Sequence, residues 1–327
     1  MRTRTLGILA GVAVIAATLA GCASSPGGSP SSNTGKLPAN ATVSIVCKGF
    51  ANEFWQAVKA GAEKAGKDLH VKVNFVGPTD ETSASEQISL LQTTLAAHPN
   101  ALGFAAIDSQ AAAPLMQQAK SAGIPVIAFD SGVASDVPLT TVATDNKAAA
   151  GEAAKHIGEL LGGTGTVAVV SWDQTSQSAV DRRDGFIAEI KKDYPNIKLL
   201  DTVYGATADK ATDVAKAELT ANPDIKAIFG ANEASAIGVV HAVQELKITT
   251  PLVVVGFDSG QDQIDAINNG LEAGAITQDP VGMGYATVAQ AVKAIEGKSM
   301  PKVIATGYYW YDKTNITDPK IVANLYH

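Results

Sequence analysis

The tetrapeptide Phe-Asp-Ser-Gly occurs twice in this chain, at 129–132 and at 257–260. Each copy ends a short apolar run that begins near a proline, and a continuous apolar run of this kind is typical of a buried strand in a parallel sheet. Residues that follow such strands lie at the carboxyl edge of the sheet, where open α/β sheets bind ligands. The repeat therefore predicts two similar α/β halves, which present Asp130 and Asp258 to one ligand.

The chain alternates apolar runs with amphipathic stretches from residue 42 onward, as doubly wound α/β domains do. Strands are predicted at 42–47, 70–76, 101–107, 124–129, 140–144, 166–171, 197–203, 225–230, 251–257 and 273–277. Helices are predicted in most gaps, most clearly at 53–67, 84–97, 148–161, 179–192, 208–221, 234–246 and 282–295. Because 327 residues exceed the size at which one core stops growing, we predict an α/β fold of two doubly wound, Rossmann-like parallel-sheet domains.

The balance of charges excludes one large class of partner. The chain has 25 basic and 32 acidic residues, which gives a net charge of −7, and it has no cluster of lysine and arginine of the kind that binds nucleic acid. We therefore expect no nucleic-acid partner. The hydrophobic fraction of 46% is too high for a disordered chain and is sufficient for two cores.

The first 40 residues have the composition of an export signal followed by a tether. Two arginines precede an uncharged apolar stretch at 6–20, which has the length of a secretory signal and is short for a membrane span. The end of this stretch resembles the bacterial lipobox. We therefore predict a signal peptide at 1–21 and lipidation of Cys22, with an ordinary signal peptide and a chance cysteine as the alternative. The Ser-, Gly- and Pro-rich residues 22–40 then form a flexible tether, which predicts an extracytoplasmic, membrane-anchored lipoprotein at the cell surface or in the periplasm.

Polar and aromatic residues follow most of the predicted strands, at the edge where a ligand would lie. The candidate ligand contacts among them are Lys48, Asn52, Phe54, Trp55, Asp130, Ser131, Trp172, Asn232, Asp258 and Gln278. Carboxylates and amides offer paired positions to adjacent hydroxyls, and aromatic rings cover the C–H faces of a small ligand, so the set suits a neutral polyhydroxylated molecule. Asp, Ser and Asn also cap helices, and this structural role stays open for Ser131, Asp173 and Asp108.

Enzymatic chemistry finds no support in the sequence. The five histidines show no spacing of metal ligands, and no Gly-x-Ser-x-Gly element occurs. The run Gly-Lys-Ser at 297–299 lacks the first glycine of a phosphate-binding loop and follows a predicted helix instead of a strand. We expect no enzyme, no cofactor and no metal site.

Six segments resemble, in the same order, the ribose-binding-protein branch of the periplasmic sugar-binding proteins of ABC importers, which are type I solute-binding proteins. They are Asn-Glu-Phe-Trp at 52–55, Pro-Val-Ile-Ala-Phe-Asp at 125–130, Asp-Arg-Arg-Asp-Gly-Phe at 181–186, Gly-Ala-Asn-Glu at 230–233, Val-Gly-Phe-Asp at 255–258 and Ile-Thr-Gln at 276–278. The first of them matches Asn-Pro-Phe-Phe in that family. The resemblance runs from about residue 42 to the C-terminus and implies two lobes joined by a three-segment hinge, with the ligand between them.

The resemblance also implies which side chains contact the ligand. They are Asn52, Phe54, Trp55, Asp130, Arg182, Asn232, Asp258 and Gln278. Arg182 suits this role because its fixed fork holds oxygens and neutralises nearby carboxylates. Ser131 stands where the family has an arginine, and the family's aromatic residue near 207–208 is absent, so we do not expect ribose itself as the ligand.

Two further candidates each have an open alternative. Trp172, at the end of its strand, is placed to supply the missing aromatic face, and the alternative is a tryptophan that covers the edge of a domain. Lys48 and the run Gly-Pro-Thr at 77–79 resemble the rhamnose and autoinducer receptors, a neighbouring branch in which a lysine after the first strand contacts the ligand. The alternative for Lys48 is a side chain that reaches solvent from a loop.

The resulting expectation is a solute-binding lipoprotein that captures a monosaccharide or sugar alcohol and delivers it to an ABC permease, as a monomer. By resemblance, the first lobe comprises 41–144 plus 280–307 and the second 145–279 plus 308–327, with crossings near Asp145, Asp279 and Tyr308. A receptor for a small furanose-like signal or for chemotaxis stays open as an alternative. So does a sugar-responsive transcription regulator of the same fold, which the export signal argues against.

Overall fold

The structure, a computed structural model, describes residues 35–326. The predicted signal peptide at 1–21 and the predicted lipidation site at Cys22 lie outside the described residues, as does the predicted tether as far as residue 34. Within 35–326, no helix is both long enough and apolar enough to cross a membrane.

One six-stranded parallel sheet forms the centre of the first lobe, with the strand order β12-β5-β4-β3-β1-β2. Its strands are β1 (Thr42–Val46), β2 (Lys72–Val76), β3 (Ala101–Phe104), β4 (Val126–Phe129), β5 (Thr140–Thr144) and β12 (Val303–Thr306). The helices packed on it are α1 (Glu53–Asp68), α2 (Ala84–Ala96), α3 (Ala113–Ser121) and α9 (Pro280–Ile295). The central strands β3 and β4 are wholly buried, as strands covered by helices on both faces must be.

A second sheet, with the order β13-β11-β10-β9-β6-β7, forms the centre of the other lobe. Its strands are β6 (Gly165–Ser171), β7 (Ile197–Leu199), β8 (Val203–Tyr204), β9 (Ile225–Gly230), β10 (Val253–Phe257), β11 (Gly274–Gln278) and β13 (Tyr308–Tyr311). Only β13 is antiparallel to its neighbour among these pairings. The helices of this lobe are α4 (Asn146–Leu160), α5 (Gln177–Asp193), α6 (Ala208–Ala221), α7 (Glu233–Glu245), α8 (Gln261–Asn268) and α10 (Pro319–Val322).

The chain passes from one sheet to the other three times: after β5, after β11 and between β12 and β13. The three crossings run side by side, because the hydroxyl of Thr144 donates to Gln278 Oε1 over 2.7 Å and lies 3.3 Å from the hydroxyl of Thr306. The predicted fold class of two doubly wound α/β domains is confirmed. The exact bounds of the two lobes stay a prediction.

The predicted strand at 197–203 differs from the structure in an informative way. It is divided into β7 and β8, because β7 pairs with 165–167 and β8 pairs with 170–171 of the same strand β6. The edge strands β12 and β13 were not among the predicted strands. β12 is half exposed and β13 consists of Tyr-Tyr-Trp-Tyr, so neither has the continuous aliphatic run that marks a buried strand.

The helices α1 and α9 are in unusually close contact in the first lobe. A Cβ atom on Gly284 would overlap the carbonyl oxygen of Val58, and one on Gly61 would overlap the carbonyl oxygen of Val281. Glycine at these two positions lets the helix backbones touch, and α9 returns in this way from the second lobe to the core of the first. The return of α9 is one of the chain crossings that join the two lobes.

We predict that Gly284→Ala destabilises the protein by about 1 to 3 kcal/mol, because the added methyl group must push two helix backbones apart. Gly151→Ala on α4 is the matched control, since its Cβ would meet Glu189 at an ordinary 3.7 Å and alanine favours a helix. Urea unfolding of both variants measures the difference. Equal stability of Gly284→Ala and the wild type would show that the contact between α1 and α9 is looser than described.

Candidate functional site

The two copies of Phe-Asp-Ser-Gly have the same unusual backbone at the aspartate. Asp130 follows β4 with φ 54°, and Asp258 follows β10 with φ 83°. This left-handed conformation is uncommon outside glycine, and aspartate is among the few residues that tolerate it. It turns each carboxylate into the gap between the lobes, where Asp130 is 4% and Asp258 is 5% exposed.

A cleft between the lobes brings together ten of the eleven predicted site residues. The side chains that line it are Lys48, Asn52, Phe54, Trp55, Glu81, Asp130, Trp172, Arg182, Asn232, Asp258 and Gln278. The cavity that they enclose has a volume of only about 20 Å³, which is the space of roughly one water molecule. A ligand with a sugar-sized ring therefore needs the lobes or these side chains to move apart before it enters.

Asp258 is the centre of hydrogen bonding on the second lobe. Its Oδ1 accepts from Gln278 Nε2 over 2.6 Å, and its Oδ2 accepts from the backbone N–H of Glu233 over 3.0 Å. Arg182 Nη1 lies 3.5 Å from the same Oδ2. The backbone carbonyl of Asp258 also accepts from the hydroxyl of Tyr311 over 2.8 Å. These bonds hold a buried carboxylate in one orientation at the floor of the cleft.

Arg182 reaches this position from the helix α5. Its Nε donates to Asn146 Oδ1 over 2.8 Å and its Nη1 donates to the carbonyl of Ala231 over 3.0 Å. The guanidinium carbon lies over the ring of Phe257, 3.6 Å from its centroid. Arginine suits such a site because its planar fork is weakly hydrated and stacks on aromatic faces. The neighbouring Arg183 instead pairs with Asp184 at the surface.

Lys48 has the equivalent role on the first lobe. Its ammonium group lies 3.0 Å from Asp130 Oδ2 and 3.2 Å from Glu81 Oε2, and it donates to the hydroxyl of Ser178 over 3.3 Å. Ser178 belongs to the other lobe. The alternative of a lysine that reaches solvent is wrong, because Lys48 is 3% exposed.

Burial and these carboxylates act against each other on the lysine. Burial disfavours the charged form of Lys48, but the charges of Asp130 and Glu81 outweigh it and raise the pKa of the ammonium group above its usual range. For Glu81, burial is the largest effect and raises the pKa of the carboxyl group in spite of Lys48. The cleft therefore holds a permanent positive charge from each lobe, Lys48 and Arg182.

Aromatic rings form two walls of the cleft. Phe54 and Trp55 meet edge to face with ring centroids 4.9 Å apart, and Trp55 Nε1 donates to Glu81 Oε1 over 2.8 Å. Trp172 faces them from the second lobe, 5.5 Å from the ammonium of Lys48 and 5.3 Å from the guanidinium of Arg182. Its indole N–H is buried and has no hydrogen-bond partner among the described residues. Trp172 thus lines the cleft and does not cover the outer edge of a domain.

The three amide side chains differ in how much of their bonding capacity is already used. Asn52 is the N-cap residue of α1, yet its side chain makes no capping hydrogen bond. Asn232 caps α7 by accepting from the N–H of Ser235 over 2.9 Å. Gln278 is bound on both sides, by Thr144 and Asp258. Asn52 is therefore the amide with the most capacity left for a ligand.

Ser131 does not line the cleft. Its hydroxyl lies 2.7 Å from that of Ser178 and donates to Asp130 Oδ2 over 3.1 Å, so it joins the lobes beside the cleft. Asp173 and Asp108 are local turn residues, because their carboxylates accept from backbone N–H groups two and three residues further on. The helix-cap alternative is therefore wrong for all three residues, because Ser176 and Ala112 are the N-cap residues of α5 and α3, and the two aspartates stabilise the preceding turns instead.

Glu81 and Ser178 are the residues at this site that the sequence analysis missed. Glu81 comes five residues after β2, and the loop that follows a parallel strand is where functional side chains gather. The run Gly-Pro-Thr at 77–79, which resembles the rhamnose and autoinducer receptors, lies just before Glu81 and is the sequence signal that could have identified this residue. Ser178 lies in the first turn of α5 and contacts the first lobe only because the lobes are together. No local pattern marks such a residue.

A groove elsewhere on the surface is a weaker candidate for a ligand site than this cleft. A groove of about 550 Å³ lies between α4 and α5, lined by the charged residues Lys147, Glu152, Lys155, Asp184, Glu189 and Lys192 together with Tyr308 and small residues. Most of its charged side chains are at least half exposed or pair with one another. Within 35–326 there is also no group of three or more His, Cys, Asp or Glu residues that could hold a metal ion.

Comparison with known proteins identifies the family. The sequence profile of the periplasmic binding protein domain matches residues 43–299. The chain belongs to this family. It is 26% identical over 273 residues to the D-ribose/D-allose-binding protein of Pseudomonas aeruginosa, which covers 81% of this chain and 85% of the relative. It is 29% identical over 271 residues to the ribose import binding protein RbsB of Escherichia coli, with coverages of 79% and 86%.

A solved structure agrees with these relatives. The carbohydrate transporter solute-binding protein of Agrobacterium radiobacter, in complex with D-arabinose, superposes with a TM-score of 0.84 at 32% identity, over 88% of this chain and 99% of that protein. The chain is thus a type I periplasmic sugar-binding protein of the ribose-binding branch, as predicted. This family consists of extracytoplasmic transport proteins and not of enzymes.

We predict that Lys48→Met destabilises the protein by about 3 kcal/mol at neutral pH, because it leaves the carboxylates of Asp130 and Glu81 buried without a cation. Burial, no longer opposed by the lysine, then holds the pKa of the Glu81 carboxyl further above its unfolded value. The loss of stability is therefore small below about pH 4 and grows as the pH rises. Urea unfolding at pH 4, 5.5 and 7 measures it.

Lys59→Met is the control for this prediction. Lys59 pairs with Glu63 at the surface, where both side chains are at least 39% exposed, and such a pair contributes about 0.5 kcal/mol or less. A loss in Lys48→Met that is no larger than in this control, or one that does not depend on pH, would contradict the role of Lys48 as the cation for both carboxylates.

Proposed function

We propose that this protein captures a monosaccharide or sugar alcohol in the cleft between its lobes and delivers it to an ABC permease. The observation that supports the proposal most directly is the convergence, from both lobes, of two cations, three carboxylates, three amides and three aromatic rings on one buried cleft. No other region of 35–326 gathers such a set.

The chemistry of this set suits a neutral ring that carries several hydroxyl groups. Asp130, Asp258 and Asn52 accept or donate hydrogen bonds in pairs, which fits adjacent hydroxyls. Arg182 and the unpartnered indole N–H of Trp172 add donors for hydroxyl or ring oxygens. Phe54, Trp55 and Trp172 cover the C–H faces of such a ring.

Closure of the lobes is the proposed mechanism of capture. The first lobe, proposed as 41–144 plus 280–307, contributes Lys48, Asn52, Phe54, Trp55, Glu81 and Asp130, and the second, 145–279 plus 308–327, contributes the other lining residues. A ligand makes its full set of contacts only when both halves surround it, and so it favours the closed state. Since the closed cavity measures only about 20 Å³, opening at the three-segment hinge must admit the ligand.

The choice of sugar follows from the departures from the ribose-binding pattern. Ser131 occupies the place of an arginine and contacts Ser178 instead of the cleft, while Lys48 supplies a cation near Asp130. The relatives and similar structures include proteins that bind D-ribose, D-allose, D-arabinose, D-fucose and D-tagatose. We propose a ligand from this group of pentoses and hexoses, other than ribose. A small signalling furanose is the second candidate, because Lys48 lines the cleft and the resemblance to autoinducer receptors implies a ligand contact for this lysine.

We also propose that Cys22 carries a lipid that anchors the protein outside the cytoplasm, with residues 23–40 as its tether and with no partner chain. The support for this is the apolar stretch that precedes Cys22 and the Ser-, Gly- and Pro-rich composition that follows it. In the folded part the one cysteine, Cys47, is buried and unpaired.

We predict that the correct sugar raises the unfolding temperature of the protein. A sugar present at about 100 times its dissociation constant adds roughly 2.7 kcal/mol to the stability of the folded state, which raises the unfolding temperature by about 5 to 10 °C. We expect this shift from one or two members of a panel of pentoses, hexoses, deoxy sugars, amino sugars, polyols and a signalling furanose, after refolding has removed bound ligand. A shift from the furanose alone would favour the signal receptor, and no shift from any compound would overturn the proposed function.

The same assay tests the site. Asp258→Ala should abolish the shift, because it removes a charge-assisted hydrogen bond worth roughly 1.5 to 3 kcal/mol and leaves the buried Arg182 without its carboxylate. Asp265→Ala is the matched control, since Asp265 is exposed on α8 and accepts only from Gln261 on the same helix. An undiminished shift in Asp258→Ala would exclude Asp258 as a ligand contact.

The lipid anchor has its own test. We expect the protein made in a bacterial host to be found in the membrane fraction and to be released by detergent, whereas Cys22→Ala should appear in the soluble extracytoplasmic fraction. Cys47→Ala serves as the control and should stay with the membrane. Equal distribution of the wild type and Cys22→Ala would contradict lipidation at Cys22.

A further inference from the structure

Two glutamate side chains lie where the two lobes meet, outside the set of residues that line the cleft. Glu53, the first residue of α1, belongs to the first lobe, and its Oε2 accepts from the backbone N–H of Gln261 over 2.8 Å. Gln261 is the first residue of α8 in the second lobe. On the other side, the carboxyl group of Glu233, the first residue of α7, lies near the backbone N–H of Phe54 in α1, which partly offsets the rise in its pKa. Each glutamate therefore faces the start of a helix that belongs to the other lobe.

Helix starts are sites where a carboxyl group is stabilised. The first N–H groups of a helix have no partner within the helix, and the helix dipole adds positive potential there. Gly260, the N-cap residue of α8, makes no side-chain capping bond, so the carboxyl group of Glu53 takes that role from across the gap. Both contacts exist only while the lobes are together, since each joins residues of different lobes.

The two carboxyl groups also lie close to each other. A Cβ atom on Gly260 would come within 2.8 Å of Glu53 Oε2 and 3.1 Å of Glu233 Oε1, so both groups pack against one glycine. Glu233 is 9% exposed, and its Oε2 is buried without a hydrogen-bond partner among the described residues. The carboxyl group of Glu233 is thus buried beside a second carboxyl group, and both effects disfavour its charged form.

The surroundings of Glu233 add to this cost. Burial, followed by the charges of Asp258 and Glu53, raises the pKa of its carboxyl group to about 8, with a smaller contribution from Glu81. The phenols of Tyr311 and Tyr326 also lie near it and stay neutral, because burial raises the pKa of each. Arg182, the cation that lines the cleft from this lobe, already pairs with Asp258.

We propose that Glu53 and Glu233 form a latch that holds the lobes closed, and that closure takes up a proton at the carboxyl group of Glu233. The latch rests on the proposed function, because it acts on the closed state that surrounds the ligand. It makes Glu53 and Glu233 positioning residues for closure, which need not touch the ligand themselves.

The sign of the pH dependence follows from the two states of the latch. In the open state Glu233 loses Phe54 and Glu53 as neighbours and regains water, so its pKa falls toward the ordinary value. In the closed state its pKa is about 8. Between these two values closure requires proton uptake, so affinity for the ligand is highest at acidic pH and falls as the pH rises toward 8.

The test is calorimetric titration of the wild-type protein with D-ribose, D-allose, D-arabinose, D-fucose and D-tagatose, at pH 5.5, 7 and 8.5. Each is run in two buffers of different ionisation enthalpy, which reveals the number of protons taken up. We expect an uptake of up to one proton at pH 7 and an affinity at pH 8.5 at least about tenfold below that at pH 5.5. Glu233→Gln, which resembles the protonated acid, should show neither effect and should bind more tightly than the wild type at pH 8.5.

Two further variants separate the latch from general damage. Glu53→Gln removes the neighbouring charge while it keeps an acceptor for Gln261, so proton uptake should decrease without loss of binding. Glu63→Gln, on the exposed face of the same helix α1, should behave as the wild type. Sugar binding without proton uptake, or an unchanged pH profile in Glu233→Gln, would overturn the latch and leave the proposed function standing.

If none of the five sugars binds, the proposed choice of ligand fails and the latch is decided without a ligand. Small-angle scattering of the wild type should then give a smaller radius of gyration at pH 5.5 than at pH 8.5, because protonation favours closure. Glu233→Gln should show no such change. Equal radii of the wild type at both pH values would overturn the latch.

Discussion

The buried carboxylates at the ends of β4 and β10 are the constraint on which the rest of the site depends. An isolated carboxylate in such a place is costly and is retained only when it is paired and hydrogen-bonded. Each lobe meets this requirement differently. Lys48 lies against Asp130 with Glu81 on its other side, whereas Arg182 approaches Asp258 while it stacks on Phe257. The two cations are thus required by the fold before any ligand is considered, and a neutral ligand can bind without adding a charge to the cleft.

The repeat of Phe-Asp-Ser-Gly gives the two lobes related but not identical sites. The aspartates share a left-handed backbone, yet the serines that follow them have different partners. Ser131 contacts Ser178 of the opposite lobe, whereas Ser259 contacts Thr277 and the carbonyl of Asn324 within its own lobe. One copy therefore takes part in closure, and the other ties the C-terminal segment to the sheet. The shared backbone conformation places both carboxylates in the cleft. The different partners of the two serines mean that, of these serines, Ser131 is the one that contacts the opposite lobe.

The sequence predicted the fold class and most of the cleft because both depend on one rule that local patterns reveal. Apolar runs mark buried strands, and the residues after their carboxyl ends face the ligand. The rule fails where a contact depends on the approach of the two lobes. Ser131 is predicted as a ligand contact but lies beside the cleft. The sequence does not reveal Ser178 and Glu81, because a helix turn and a long loop bring them to the cleft. The edge strands β12 and β13 were missed because partial exposure removes the apolar signal.

The contacts between the lobes also determine how much a ligand must contribute. The lobes are joined on one side of the cleft by Ser178, which meets both Lys48 and Ser131, and on another by Glu53 at the start of α8. These contacts are between protein groups alone, so they lower the cost of closure that binding would otherwise have to supply. A ligand shifts the equilibrium only by the difference between its contacts in the closed and the open state. A substitution far from the ligand, such as one at Glu53, can therefore change affinity as strongly as one in the cleft, because both act on the same equilibrium.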